Sequence, residues 1–188
     1  DVVNVKLDNI SSVTAKNYAG GFVGDAGTGS LVNGGGLNLL GLDLVKVTSL
    51  LKLAEGVQLN IIDSQVNGND KNGFSVSATG SNSDGAVEDF AAGGFIGESK
   101  SVIAENCTVN NLKSVRADGK AGYAGGFTGT SESGGLADIA EDENGLKGIA
   151  SLSDLLSAAD YLIPEYNNCH VTYVTNTAED GSELPQVQ

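Results

Sequence analysis

Arginine, histidine and proline are nearly absent from this 188-residue chain, and long apolar runs are missing altogether. Ten Lys and Arg residues, of which only Arg116 is an arginine, face 24 Asp and Glu, for a formal net charge of −14. A surface of that sign repels phosphate backbones and anionic lipid, which argues against nucleic acid and membrane surfaces as partners. Its ordinary consequence is solubility. His170 is the single histidine and directly follows Cys169. Alternation along a strand would turn the two to opposite faces, so they cannot work as nucleophile and base, and a zinc site would need further ligands. The most apolar stretch, Leu37 to Ala54, is interrupted by Asp43, Lys46 and Lys52 and is not expected to span a membrane. The chain opens on Asp1 rather than Met, and is expected to be a mature or excised piece without a signal peptide.

What is abundant is glycine: 27 residues, about twice the ordinary share. With 40% of residues apolar the chain is not compositionally disordered, so glycine marks tight turns and close backbone approaches. One motif occurs three times, as Tyr18-Ala19-Gly20-Gly21-Phe22-Val23-Gly24, Phe90-Ala91-Ala92-Gly93-Gly94-Phe95-Ile96-Gly97 and Tyr123-Ala124-Gly125-Gly126-Phe127-Thr128-Gly129. A second pattern precedes each copy. Val5-x-Leu7-x-x-Ile10-x-x-Val13-x-Ala15 aligns without a gap on Cys107-x-Val109-x-x-Leu112-x-x-Val115-x-Ala117. Ser64-x-Val66, a polar insertion and Val76-x-Ala78 form a looser copy, and Cys169-x-Val171-x-x-Val174 begins a fourth. The residue before each start is Asn4, Asp63, Asn106 or Asn168, a column suited to turns with left-handed dihedrals.

Spacings of i, i+2, i+5, i+8 and i+10 are not helical; they describe short strands separated by one-residue corners. The expected fold is mainly β: a right-handed parallel β-helix, or solenoid, of about four degenerate coils over residues 1–176, followed by a polar C-terminal tail at 177–188. Equivalent residues should stack from coil to coil, with Val5, Cys107 and Cys169 inward and Phe22, Phe95 and Phe127 in an aromatic column. Two excursions leave the repeats. Leu37, Leu40, Leu44, Val47 and Leu51 predict a helix at about 37–54, and Ile149, Leu152, Leu155, Leu156, Ala159 and Leu162 predict another at about 149–162.

At these residues the chain resembles the glycine-rich GLUG-type repeats of bacterial surface proteins and the Asn-Cys-x-Val coils of large secreted β-helix proteins. The resemblance covers the four repeat cores, roughly half of the chain. It implies an extracellular, cell-surface stalk or adhesin and carries over no catalytic residue.

Candidate chemistry is sparse. Cys107 and Cys169 share a register, about 4.8 Å apart on adjacent strands, which is within disulfide range. Val5 and Ser64 in the same register mark a small-residue core column, which favours stacked reduced thiols. Asn67-Gly68-Asn69-Asp70-Lys71-Asn72-Gly73 has Gly68 where a calcium loop needs its first Asp. No glycine-rich stretch continues into the Lys-Ser/Thr of a phosphate loop. Glu141-Asp142-Glu143 is a charge run of the solvated kind. A glycosidase needs two carboxylates facing one cleft, and no acidic residue other than Asp63 recurs at a fixed register. The residues therefore predict no catalytic, cofactor or metal site and no enzyme. They predict a structural or adhesive segment whose partners are copies or neighbouring repeats of itself, joined end to end, with any host or carbohydrate ligand unspecified. The alternative class is a carbohydrate-binding module or a polysaccharide-degrading β-helix enzyme.

Overall fold

The computed structural model describes residues 1–26, 58–80, 90–118, 122–132 and 163–174. The segments expected to be helical, 37–54 and 149–162, the tail at 177–188 and the charge run at 141–143 lie outside the described residues. Within them the chain is mainly β, built from short strands in four parallel sheets.

The first repeat supplies β1 (Val2–Val3), β2 (Lys6–Ile10), β3 (Ser12–Ala15), β4 (Tyr18–Gly20) and β5 (Val23–Ala26). The second supplies β6 (Leu59–Ile62), β7 (Gln65–Gly68), β8 (Phe74–Ala78), β9 (Phe90–Gly93) and β10 (Ile96–Lys100). In the third, β11 (Val102–Glu105) is followed by β12 (Thr108–Ala117), β13 (Gly122–Gly125) and β14 (Thr128–Glu132). The fourth contributes β15 (Glu165–Asn167) and β16 (His170–Tyr173).

Each sheet takes its strands in repeat order. One runs β1-β6-β11-β15; one places β2 and β3, then β7 and β8, then β12, then β16; the others run β4-β9-β13 and β5-β10-β14. The register equates identical motif positions: Leu7, Val66, Val109 and Val171 form one row, and Val13, Val76 and Val115 another. Apolar residues at alternate positions thereby fall on one side of this sheet and stack on their counterparts.

Corners are set by short amides. Asn4, Asp63, Asn106 and Asn168 all have φ between 51° and 56°, a region where most side chains are strained and Asn and Asp are tolerated. Their side chains also bond along the stack: the Asn106 amide donates to Asp63 Oδ1 at 3.0 Å, and the Asn168 amide to Asn106 Oδ1 at 2.7 Å. A second corner has Asn9 and Asn111 at φ 61° and 59°. The signal for it was present, since each lies five residues after the first corner asparagine of its repeat.

The paired glycines have a steric cause. A methyl on Gly20 or Gly93 would collide with the carbonyl oxygen of Val23 or Ile96, where the same repeat turns back. It would also sit 2.7 Å from the backbone nitrogen of Gly97 or Gly129 in the next repeat. Strands either side of the Gly-Gly-Phe corner approach to a distance that admits only hydrogen.

Candidate functional site

The column opening on Val5 holds the chain's only sulfur chemistry. Ser64 and Cys107 are fully buried, while Val5 and Cys169, in the outer repeats, are half-buried. Ser64 is satisfied in place, its hydroxyl donating to Ile62 O at 2.9 Å and accepting from Val5 N at 3.2 Å. Both cysteines are free thiols. Cys107 Sγ lies 3.3 Å from the carbonyl of Ile61, and Cys169 Sγ lies 3.4 Å from that of Ala104, so each is turned toward the preceding repeat. Each thiol alters the other's hold on its proton. Cys107, hydrogen-bonded to Cys169 and buried, holds its proton far more tightly than a free thiol. Cys169 receives that hydrogen bond and is lowered to about 7. His170 is exposed and points away from the pair, with Nε2 3.0 Å from Asn168 Oδ1.

The outer face carries a second polar ladder. The Asn67 amide donates to Asp8 Oδ1 at 2.7 Å, and the Asn110 amide to Asn67 Oδ1 at 2.8 Å. Thr172 Oγ1 continues the ladder to Asn110 Oδ1 at 3.2 Å. The Asp8 carboxyl is held below its usual range, first by the Asn67 hydrogen bond. Beside this ladder lie two open polar recesses of about 430 and 560 Å³, which share Asn9 and Asn69. The insertion that walls them is a tight turn in which Asn69 Oδ1 accepts from the Lys71 backbone at 2.9 Å, so that oxygen is spent on the turn.

One expectation about carboxylates is corrected. Asp25 and Glu98 do share a register, which the sequence concealed because Thr130 replaces the acid in the third repeat. Glu98 is only 4% exposed and its carboxylate is 3.2 Å from Lys100 Nζ, which also lies 3.9 Å from Glu132. Burial and the ion pair close Glu98 to a large substrate. The Lys100 ammonium, opposed by desolvation but held by Glu98, is raised above its ordinary value.

The aromatic positions divide. Phe95 stacks between Phe22 and Phe127 at centroid distances of 4.6 and 4.9 Å, and Tyr166 meets Phe127 edge-on at 5.7 Å. The first aromatic of the motif is not one column: Ala91 pairs with Tyr18 and Tyr123, whereas Phe90 pairs with Gly122. The extra alanine in that copy shifts Phe90 by one residue and hence to the opposite face, where it is buried. Phe74, at the end of the insertion, falls outside the repeat motifs. It pairs with Leu112 and is fully buried, filling the row that Leu112 occupies in the third repeat.

The ends of the stack differ from its middle. Ile61, Val66, Ala104 and Val109 are completely buried, but their counterparts Val2, Leu7, Tyr166 and Val171 are half-buried. Val3, Tyr123, Ile163 and Tyr173, the exposed large apolar and aromatic side chains among the described residues, all lie in the first, third or fourth repeat. Among the described residues no helix is long and apolar enough to cross a membrane. Compared with protein-family models, curated proteins and solved structures, the chain matches none.

Proposed function

We propose that this chain is a right-handed β-helical solenoid segment of an extracellular surface protein or filament, and that its role is structural or adhesive rather than catalytic. The observation that carries this reading is the burial gradient. In the columns that run through all four repeats, Val2-Ile61-Ala104-Tyr166, Val5-Ser64-Cys107-Cys169 and Leu7-Val66-Val109-Val171, the two middle members are closed and the first and last are half-open. A coil buries its apolar side only against a neighbour, so a half-open coil is a docking face for another coil. Strand edges beside those faces offer backbone groups for continued parallel pairing. Right-handedness follows from the strong preference of parallel crossover connections. The surface setting rests on the resemblance to GLUG-type and Asn-Cys-x-Val repeats.

The docked coil belongs to a neighbouring stretch of the same longer chain or to another copy. Sedimentation velocity from about 20 to about 500 mM salt tests this, because the −14 charge opposes association until salt screens it. Assembly that tightens with salt is expected. A monomer at every salt and protein concentration overturns the end-to-end reading.

A second reading, a carbohydrate-binding module, draws on Tyr123 and Tyr173, 53% and 46% exposed in the third and fourth repeats. Exposed aromatic faces suit sugar stacking. Titration calorimetry with soluble neutral and acidic polysaccharides decides it: saturable heat lost in Tyr123→Ala and Tyr173→Ala would favour this reading.

A further inference from the structure

We propose that Cys107 and Cys169 are a disulfide-forming pair that covalently pins the fourth repeat to the third on exposure to a low-molecular-weight disulfide. The two residues face each other in register. Their neighbours Thr108 and His170 are paired, the His170 backbone donates to Cys107 O at 3.0 Å, and on the other side Asn106 N donates to Asn167 O at 2.9 Å. In-register residues of adjacent strands are about 4.8 Å apart, inside the window that a disulfide spans. Cys169 Sγ is turned down onto the third repeat, 3.4 Å from Ala104 O, which is the side on which Cys107 lies.

A small-residue core position does not by itself explain the pair. Ser64 and Val5 fill the same column with no sulfur, and the closed part of the column ends at Cys107. Cys169 lies where the stack opens and is half-buried, so a small oxidant can reach it, while Cys107 is enclosed and can react only with what Cys169 brings. The hydrogen bond from Cys107 favours the thiolate at Cys169, the form that attacks disulfides. An accessible attacking thiol and a shielded resolving thiol are the two roles that exchange requires.

The reaction balances with oxidised glutathione as oxidant. The Cys169 thiolate attacks one glutathione sulfur, the glutathione S–S bond breaks, and one glutathione leaves as a thiolate and takes a proton. Cys107 then loses its proton to solvent and attacks the Cys169 sulfur, expelling the second glutathione. Two protein thiols become one disulfide, and one oxidised glutathione becomes two reduced molecules.

This inference does not depend on end-to-end assembly, and its test reads monomer mass. The whole 188-residue chain is equilibrated with oxidised glutathione, acid-quenched, alkylated under denaturing conditions and weighed intact. The expected product is a monomer lighter than the dithiol by about 2 Da with neither cysteine alkylated, and with a higher melting temperature than the reduced protein. Cys107→Ser should instead accumulate a stable glutathione adduct on Cys169, and Cys169→Ser should leave Cys107 unmodified while the protein is folded. Wild type that retains two alkylatable thiols, stops at the adduct, or links between molecules overturns the proposal. The wild-type mass decides even if either variant fails to fold.

Discussion

A phenyl ring closed on both faces contributes more than one closed on a single face, and the aromatic column holds both kinds. Phe95 is fully buried between Phe22 and Phe127, which are themselves half-buried. Phe95→Ala should cost roughly 3–5 kcal/mol in denaturant melts, and Phe22→Ala clearly less. Equal losses would show that the ends of the column are as closed as its middle. The cysteines differ in the same way. Alkylation needs the thiolate, and Cys169, lowered to about 7, should gain reactivity as pH rises through that value and level off above it. Cys107, shifted in the opposite direction, should stay unreactive across that range while the protein is folded. Stopped-time alkylation with peptide mapping checks both, and a rate still climbing steeply above pH 9 would contradict the assigned direction for Cys169.

The corner and the paired-glycine turn are the elements that keep successive repeats in register. Asn106 combines a left-handed backbone, φ 52°, with two ladder hydrogen bonds, one donated to Asp63 and one accepted from Asn168. Asn106→Gly keeps the dihedral and loses the ladder, whereas Asn106→Ala loses both. Alanine should therefore be the more destabilising by about 1 kcal/mol, the ordinary strain of a Cβ in that region. If glycine proves the worse substitution, the ladder rather than the dihedral dominates. At the turn, Gly93→Ala would push a methyl into the Ile96 carbonyl and against the Gly129 nitrogen. The strands on both sides are held by pairing to their neighbours, so relief requires moving two sheets, and the cost should reach at least about 2 kcal/mol.

Across the described residues the consequential feature is the contrast between the closed inner and half-open outer members of the four-repeat columns. Tyr173 is 46% exposed on β16, the last of the described strands, and lies over Gly126 of the third repeat. Tyr173→Asp adds a buried charge to any docked interface while asking little of the monomer. Salt-promoted assembly should fall at least tenfold in that variant with the circular dichroism spectrum unchanged. Assembly at wild-type strength would move the interface away from this end.

Period-two alternation, the recurrent Asn/Asp before each repeat and the three Gly-Gly-Phe copies were enough to define the strands, the corner and the stacking register. Each is a local rule: pleating alternates side chains, short amides accept left-handed dihedrals, and a tight approach excludes Cβ. The inserted turn before Phe74 and the extra alanine after Phe90 broke the linear alignment. Their rows became visible only when the partner strands Leu112 and Gly122 were paired with them. The Asp25–Glu98 register was hidden for a similar reason, because one threonine in the third copy removes the acidic pattern. Burial was decided by tertiary structure alone. Cys107 and Cys169 sit at one motif position, each preceded by an asparagine and followed two residues on by a valine, yet one is enclosed and the other half-open. Stacking order settles that difference: an inner strand has a neighbour on each side and an end strand has one, a property that no residue carries in its own sequence.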